Sequence, residues 1–217
     1  MNKECIDLVE KISPQSTFEE IVKWIREEAG SNNNGYFKTN KENALRLQQV
    51  PEEYAELLFK IKEKSPKSYL EVGIGNGGSW LTCSHFNKDT LEVSHAVDNL
   101  SYSFAAQKYE EVLFIRSYLS NHIKNVDFFY SYSTPFLLNC NQKYDVIFID
   151  GDHSYQGVKS DYENSIRLLN EGGIMIFHDI NSKGAPGVTQ FWNEFKSNHK
   201  FHEIIHSDTC GIGIFYF

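Results

Sequence analysis

Residues 68–79 read Ser-Tyr-Leu-Glu-Val-Gly-Ile-Gly-Asn-Gly-Gly-Ser, and the rest of the chain is organised around them. A short run of strand formers ends in glycines, and the residues after the glycines are able to start a helix. That is the strand–turn–helix entrance to a nucleotide-type site. Glycine lets the backbone turn sharply and approach a ligand, because no Cβ stands in the way. The stretch is ambiguous by itself. Gly73, Gly75 and Gly78 satisfy the dinucleotide pattern G-x-G-x-x-G, while Glu71, Gly73, Gly75 and Gly77 satisfy E-x-G-x-G-x-G.

Downstream, strand and helix patterns alternate. The first strand is expected over 68–73, with its helix starting near Gly77. A second strand over 91–97 ends at Asp98, about 20 residues past the glycines, where an acidic residue in this fold accepts hydrogen bonds from ribose hydroxyls. Val112, Ile115, Leu119 and Ile123 mark an amphipathic helix. The third strand, 126–130, runs into Ser131, Tyr132 and Ser133, a polar exit that either bounds an adenine pocket or is an ordinary turn leading to Pro135. Strand four, 144–149, is nearly continuous in β-branched and aromatic residues, as a parallel strand buried on both faces requires. It ends in Asp150-Gly151-Asp152-His153. Tyr155, Val158, Tyr162, Ile166 and Leu169 then repeat at helical spacing, and Gly172-Gly173 is expected to stop that helix. Strand five, 174–177, ends in His178-Asp179. A helix carrying Val188, Phe191, Trp192 and Phe195 comes next, and strands over 201–205 and 211–217 close the chain as a hairpin. The class is therefore α/β, a doubly wound Rossmann-like sheet.

The division expected is a helical cap over 1–66 and a ligand-binding domain over 67–217. In the cap, Ser16 with Glu19 suggests a capping box. Phe18, Ile21, Val22 and Ile25 form one apolar face; Pro51 opens a second helix whose face is Tyr54, Leu57, Leu58 and Ile61. Between them, 31–40 is a polar loop with three consecutive asparagines. These helices either cover one face of the sheet or form a lid over an acceptor pocket, and their apolar faces also suit pairing of two subunits.

Composition narrows the function. A net charge of −8 over 217 residues argues against a nucleic-acid backbone as partner. No run approaches the roughly 18 to 20 apolar residues of a membrane span, and the opening Met-Asn-Lys-Glu-Cys lacks the apolar core of a secretory signal. Cys5, Cys83, Cys140 and Cys210 form no C-x-x-C pair, which suits scattered reduced thiols in a cytoplasmic protein.

Ligands of open α/β sheets bind outside the carboxyl ends of the strands. Asp98, Asp150, His153 and Asp179 all fall at such ends. If strands four and five are neighbours, Asp150 and Asp179 start roughly 5 Å apart, the inter-strand spacing. Carboxylates that close repel, so either one is protonated or a cation sits between them; Mg²⁺ takes oxygen ligands of this kind. Each aspartate has a plainer reading too, as a cap on the helix or turn next to it.

With these residues in place, the chain resembles the class I S-adenosylmethionine (SAM) dependent methyltransferases, and among them the small-molecule O-methyltransferases related to the macrocin and sugar O-methyltransferases. The likeness rests on Glu71-Val72-Gly73-Ile74-Gly75-Asn76-Gly77-Gly78-Ser79, on Val97-Asp98, on Ile149-Asp150-Gly151-Asp152-His153-Ser154-Tyr155, and on Gly172-Gly173 with Phe177-His178-Asp179. It implies a seven-stranded sheet, order 3-2-1-4-5-7-6, with one antiparallel strand. It also implies that Glu71 and the loop of Gly73, Gly75 and Gly77 hold the methionine part of SAM and Asp98 its ribose; Ser79, after the glycines, and Ser133, at the exit of strand three, are further cofactor-binding candidates. Asp150 and Asp179 would ligate a divalent metal, Mg²⁺, with His153 as base and a small-molecule hydroxyl as acceptor. Ile180 stands where catechol-type relatives carry an asparagine ligand, so no third protein ligand is assigned. The competing readings are a nicotinamide-dependent oxidoreductase, on the G-x-G-x-x-G match, and a non-catalytic SAM-binding protein.

Overall fold

The computed structural model describes residues 2–30, 45, 47–101 and 108–217; the asparagine-rich loop lies outside them. Seven strands form one sheet in the order β3-β2-β1-β4-β5-β7-β6. They are β1 (Ser68–Val72), β2 (Val93–Asp98), β3 (Asn125–Tyr130), β4 (Tyr144–Ile149), β5 (Leu169–His178), β6 (Phe201–Ile204) and β7 (Ile212–Tyr216). The first five are mutually parallel, and β7 inserts antiparallel between β5 and β6.

Side-chain alternation along the central strands feeds two cores. On one face Tyr69, Phe148, Ile176 and Ile214 pack against α1 (Asn2–Val9), α2 (Phe18–Trp24), α3 (Pro51–Glu63), α4 (Gly78–Phe86) and α5 (Lys108–Leu119). On the other, Leu70, Ile147, Phe177 and Phe215 pack against α6 (Ser133–Asn139), α7 (Tyr155–Ser165) and α8 (Pro186–Lys196). The helices of the expected cap thus share a core with the sheet. Tyr54, Leu57 and Leu58 are wholly buried in it. Glu53 on α3 is also wholly buried. Its carboxylate accepts from the backbone N–H groups of His206 (2.9 Å), Ser207 (3.1 Å) and Gly211 (2.9 Å), tying α3 to the β6–β7 turn.

Two local expectations are corrected. The capping box at α2 is Thr17 with Glu20, not Ser16 with Glu19; Thr17 Oγ1 accepts from the Glu20 N–H and the Glu20 carboxylate from the Thr17 N–H. Gly172 and Gly173 do not end a helix: α7 stops at Ser165, a single 3₁₀ turn (Ile166–Leu168) comes next, and β5 begins at Leu169 and runs through both glycines. The pairing Tyr144 with Leu169 gives way to Val146 with Ile174, so the glycines sit in an irregularity of the ladder. A Cβ on Gly173 would lie 2.9 Å from the Asp145 carbonyl oxygen.

Candidate active site

The strand order reverses between β1 and β4, and the carboxyl ends of β1, β2, β4 and β5 converge beside that crevice. After β1, the glycine loop takes left-handed backbone at Gly73 (φ 82°), Gly75 (φ 52°) and Gly77 (φ 84°), the last being the N-cap of α4. At Gly73 this is obligatory, since a Cβ there would stand 2.2 Å from the Asp150 carbonyl oxygen. At Gly75 a Cβ would meet nothing within 4 Å, so the loop's outer side is open to a ligand.

Asp98, at the end of β2, organises this loop. Its Oδ2 accepts from the N–H groups of Ile74 (2.8 Å) and Gly75 (3.0 Å), and its Oδ1 from that of Leu100 (2.5 Å). Oδ1 keeps a lone pair for a hydroxyl donor. Glu71 lies beneath the loop, fully buried; it accepts from Tyr69 Oη (2.5 Å) and from Ser79 Oγ. Burial pushes its carboxyl up to about 8, against the pull of the Ser79 and Tyr69 hydrogen bonds. Glu71 thus fixes Ser79 in the first turn of α4 from below. Ser133 opens α6 and donates to Asp161 Oδ1 (2.6 Å), a buried carboxylate that sequence reading missed.

The structure brings Asp150, His153 and Asp179 together, with one donor atom of each within 4.8 Å of the others. His153 Nε2 is 3.3 Å from Asp150 Oδ1, and its Nδ1 is 3.5 Å from Asp179 Oδ2. The register pairs Ile149 with Phe177, so the residue facing Asp150 across the sheet is His178, not Asp179. His178 Nδ1 lies 3.2 Å from Asp150 Oδ1 and 3.7 Å from Asp179 Oδ2. Asp179 sits one residue further on, in a left-handed conformation (φ 62°) that turns the chain at the strand end. Burial alone would raise Asp150, but the neighbouring His178 and His153 imidazoles hold it below the usual carboxylate range. Burial likewise opposes a charge on His178, and is outweighed by Asp150 and Asp179, which lift it to about 9. His153 is raised chiefly by its hydrogen bond to Asp150.

These donors fit a divalent ion in kind, since two carboxylates and an imidazole converge on one point. The side-chain Nδ2 of Asn181, the next residue after Ile180, donates to the Ser207 carbonyl oxygen (3.4 Å). One group from the N-terminal segment does reach the site. Gln49, 3% exposed, places Nε2 3.4 Å from Asp150 Oδ2. No sequence signal links the two, because they stand 101 residues apart.

A family model described as a methyltransferase domain matches residues 70–180. An uncharacterized protein of Acanthamoeba polyphaga mimivirus is 33% identical over 129 residues, 54% of this chain and 53% of the relative, so the chain spans about half the length of the curated relative it matches. Among solved structures, the SAH-bound methyltransferase PaMTH1 of Podospora anserina superposes with a TM-score of 0.61 at 14% identity, covering 77% of this chain and 79% of that one. The O-methyltransferase of Bacillus cereus in complex with SAH gives 0.58 at 14%, over 80% and 84%. The O-methyltransferase TomG of Streptomyces achromogenes, in complex with SAM, gives 0.57 at 12%, over 78% and 81%. At such identities the superpositions speak for the fold, and the family match decides between the two glycine patterns. The chain belongs to the methyltransferase-domain family, and its fold is the one shared by the SAH- and SAM-bound methyltransferases it superposes on.

Proposed function

We propose that the chain moves the methyl group of SAM to a hydroxyl oxygen of a small molecule, a sugar or a phenol, in the cytoplasm. The observation that carries this reading is the placement of His153. Its side chain is 44% exposed, while Asp150 and Asp179 on either side are 17% and 12% exposed. It is the member of the cluster most open to an incoming acceptor.

SAM carries its methyl on a sulfonium, so the protein's task is alignment and deprotonation of the acceptor. The glycine loop and α4 would hold the methionine end, with Glu71 acting through Ser79. Asp98 Oδ1 would accept from the ribose, and Ser133 would border the adenine. Asp150 and Asp179 would hold a divalent ion, Mg²⁺ by the family resemblance, whose chemistry is to lower the pKa of a bound hydroxyl. His153 would take the hydroxyl proton on a ring nitrogen as a general base, in the neutral form that its hydrogen bond to Asp150 shifts to pH above the ordinary imidazole range.

The test is a calorimetric titration with S-adenosylhomocysteine (SAH), with and without Mg²⁺, and with NAD as control, followed by methyl-transfer assays on sugars and catechols. SAH binding without NAD binding, and transfer to a hydroxyl, are expected. Binding of NAD in place of SAH would overturn the reading. SAH binding with no transfer to any hydroxyl in the screen would favour the non-catalytic alternative.

A further inference from the structure

A second set of donor atoms lies beside the acidic cluster, where the β6–β7 turn meets the end of β5. One atom each from His178, Asp179 and Cys210 lies within 4.8 Å of the others. All three residues are buried, His178 at 6% and Cys210 at 3% exposure. Of this set, only Asp179 also belongs to the cluster with Asp150 and His153.

Backbone geometry brings the three together. Successive residues of a strand point to opposite faces, so His178 and Asp179 would diverge if β5 simply continued. The left-handed backbone of Asp179 (φ 62°) breaks that alternation, and its Oδ2 comes to 3.7 Å from His178 Nδ1. Cys210 is delivered by a turn that is held on both sides. The Asn181 N–H donates to the Cys210 carbonyl oxygen (2.7 Å) and the Ile180 N–H to that of Gly211 (3.2 Å). The Gly211 N–H donates in turn to the buried Glu53 carboxylate (2.9 Å).

His178 is poised as a ligand. Its Nδ1 lies 3.2 Å from Asp150 Oδ1, while its Nε2 is buried with no hydrogen-bond partner among the described residues. A metal-ligating histidine is held in this way, one ring nitrogen on a carboxylate and the other left for the ion. Imidazole, carboxylate and thiolate together make a mixed set of nitrogen, oxygen and sulfur donors. Thiolate and imidazole select Zn²⁺ over Mg²⁺, which takes oxygen. Three protein ligands leave the fourth tetrahedral position to a water.

We propose that His178, Asp179 and Cys210 form a site for a thiophilic divalent ion, Zn²⁺, distinct from the oxygen-rich set of Asp150, His153 and Asp179 and joined to it through Asp179. On binding, the Cys210 thiol gives its proton to solvent and ligates as the thiolate. The assignment goes beyond the SAM-dependent reading and does not rest on it.

The test is spectroscopic titration of the whole reduced chain with Co²⁺, then with Zn²⁺. Sulfur bonded to Co²⁺ gives an intense near-ultraviolet charge-transfer absorption that oxygen and nitrogen ligands do not, and Zn²⁺ bleaches it by taking the site. Wild type should show this absorption saturating at one Co²⁺ per chain, bleached by Zn²⁺ and not by Mg²⁺. Cys210→Ser should lose it and bind Zn²⁺ more than about 100-fold more weakly in calorimetry, beyond the roughly 10- to 100-fold that a partner outside the ligand shell is worth. Should Cys210→Ser not fold, Cys210→Ala removes the sulfur without adding a hydroxyl, and the same loss is expected. His153→Ala, which removes a donor of the other set alone, should keep the absorption. No absorption in wild type, or one that survives the loss of Cys210, would overturn the assignment. So would an absorption that vanishes in His153→Ala, since the ion would then lie in the other set. SAH titration of the same preparations tests the methyltransferase reading by itself, so either can fail alone.

Discussion

His178 stands directly across the β4–β5 ladder from Asp150, its Nδ1 3.2 Å from Asp150 Oδ1. Two carboxylates at adjacent strand ends need a counter-charge, and here an imidazole that is 6% exposed lies against both. Replacing it should be costly. Removing one partner of a buried charged pair typically costs about 3–5 kcal/mol, so His178→Leu should lower the melting temperature by roughly 10 °C in a chain of this size. The double variant His178→Leu with Asp150→Asn should melt higher than the sum of the single effects, because the stranded charge is gone. A single variant melting within about 2 °C of wild type would show that the pair carries no such load.

His153 sits in the same cluster yet is the exposed member. Its loss should therefore spare the fold and the cofactor. His153→Ala is expected to lower methyl transfer by about 10²- to 10⁴-fold, the usual worth of a general base. SAH affinity should hold to within about twofold, because His153 lies on the Oδ1 side of Asp150, away from the glycine loop. Parallel calorimetry and rate assays on one preparation separate the two; equal losses in both would mark the residue as structural.

Much of this site was legible because it depends on local chemistry. The unbroken apolar run of β4 identified a central strand, and strand ends in an open α/β sheet are where ligands bind. What escaped depends on pairing across long separations. Tyr144 pairs with Leu169 before Val146 pairs with Ile174, and that shift turned Gly172-Gly173 from an apparent helix stop into part of β5. The same register decides that His178, not Asp179, faces Asp150. Ser16/Glu19 and Thr17/Glu20 both satisfy the capping pattern, and only the packing of α2 chooses the second. Gln49 and Glu53 act on residues more than 100 positions away, and no periodicity encodes such a contact.

Gly73 makes a sharper structural prediction. Its φ of 82° disfavours any side chain, and a Cβ would overlap the Asp150 carbonyl oxygen at 2.2 Å, in a backbone held by the Asp150 N–H bond to Val72. Gly73→Ala must therefore push β1 and β4 apart at their carboxyl ends. The cost should reach about 1–3 kcal/mol or more, with SAH binding weakened in step. Gly75→Ala, where a Cβ meets no atom within 4 Å, should cost less stability while still obstructing the ligand side of the loop. Melting and SAH titration of the two variants check this ordering, and a Gly73→Ala chain as stable as the Gly75→Ala chain would refute it.

Glu71 ties stability to pH through a group that never touches solvent. Burial lifts its carboxyl from an ordinary 4.5 to about 8. Between those values the folded chain keeps a proton that the unfolded chain has lost, so for this group the slope of unfolding free energy with pH is negative. Its stabilising contribution is complete below about pH 4.5, falls as pH rises through neutrality, and levels off above about 8. Glu71→Gln removes the titrating proton and keeps a side chain of the same shape, whose amide oxygen accepts from one of the Ser79 and Tyr69 hydroxyls while its NH₂ donates to the other. Its melting temperature should therefore decline less than that of wild type between about pH 6 and 8, by roughly 2 °C or more in difference, a gap read directly from paired melts at matched ionic strength. Below about pH 4.5 the two curves should run parallel, since wild-type Glu71 is then protonated in both states. Parallel curves across the neutral window as well would mean that Glu71 ionises in the native chain like an exposed glutamate, against its complete burial beneath the glycine loop.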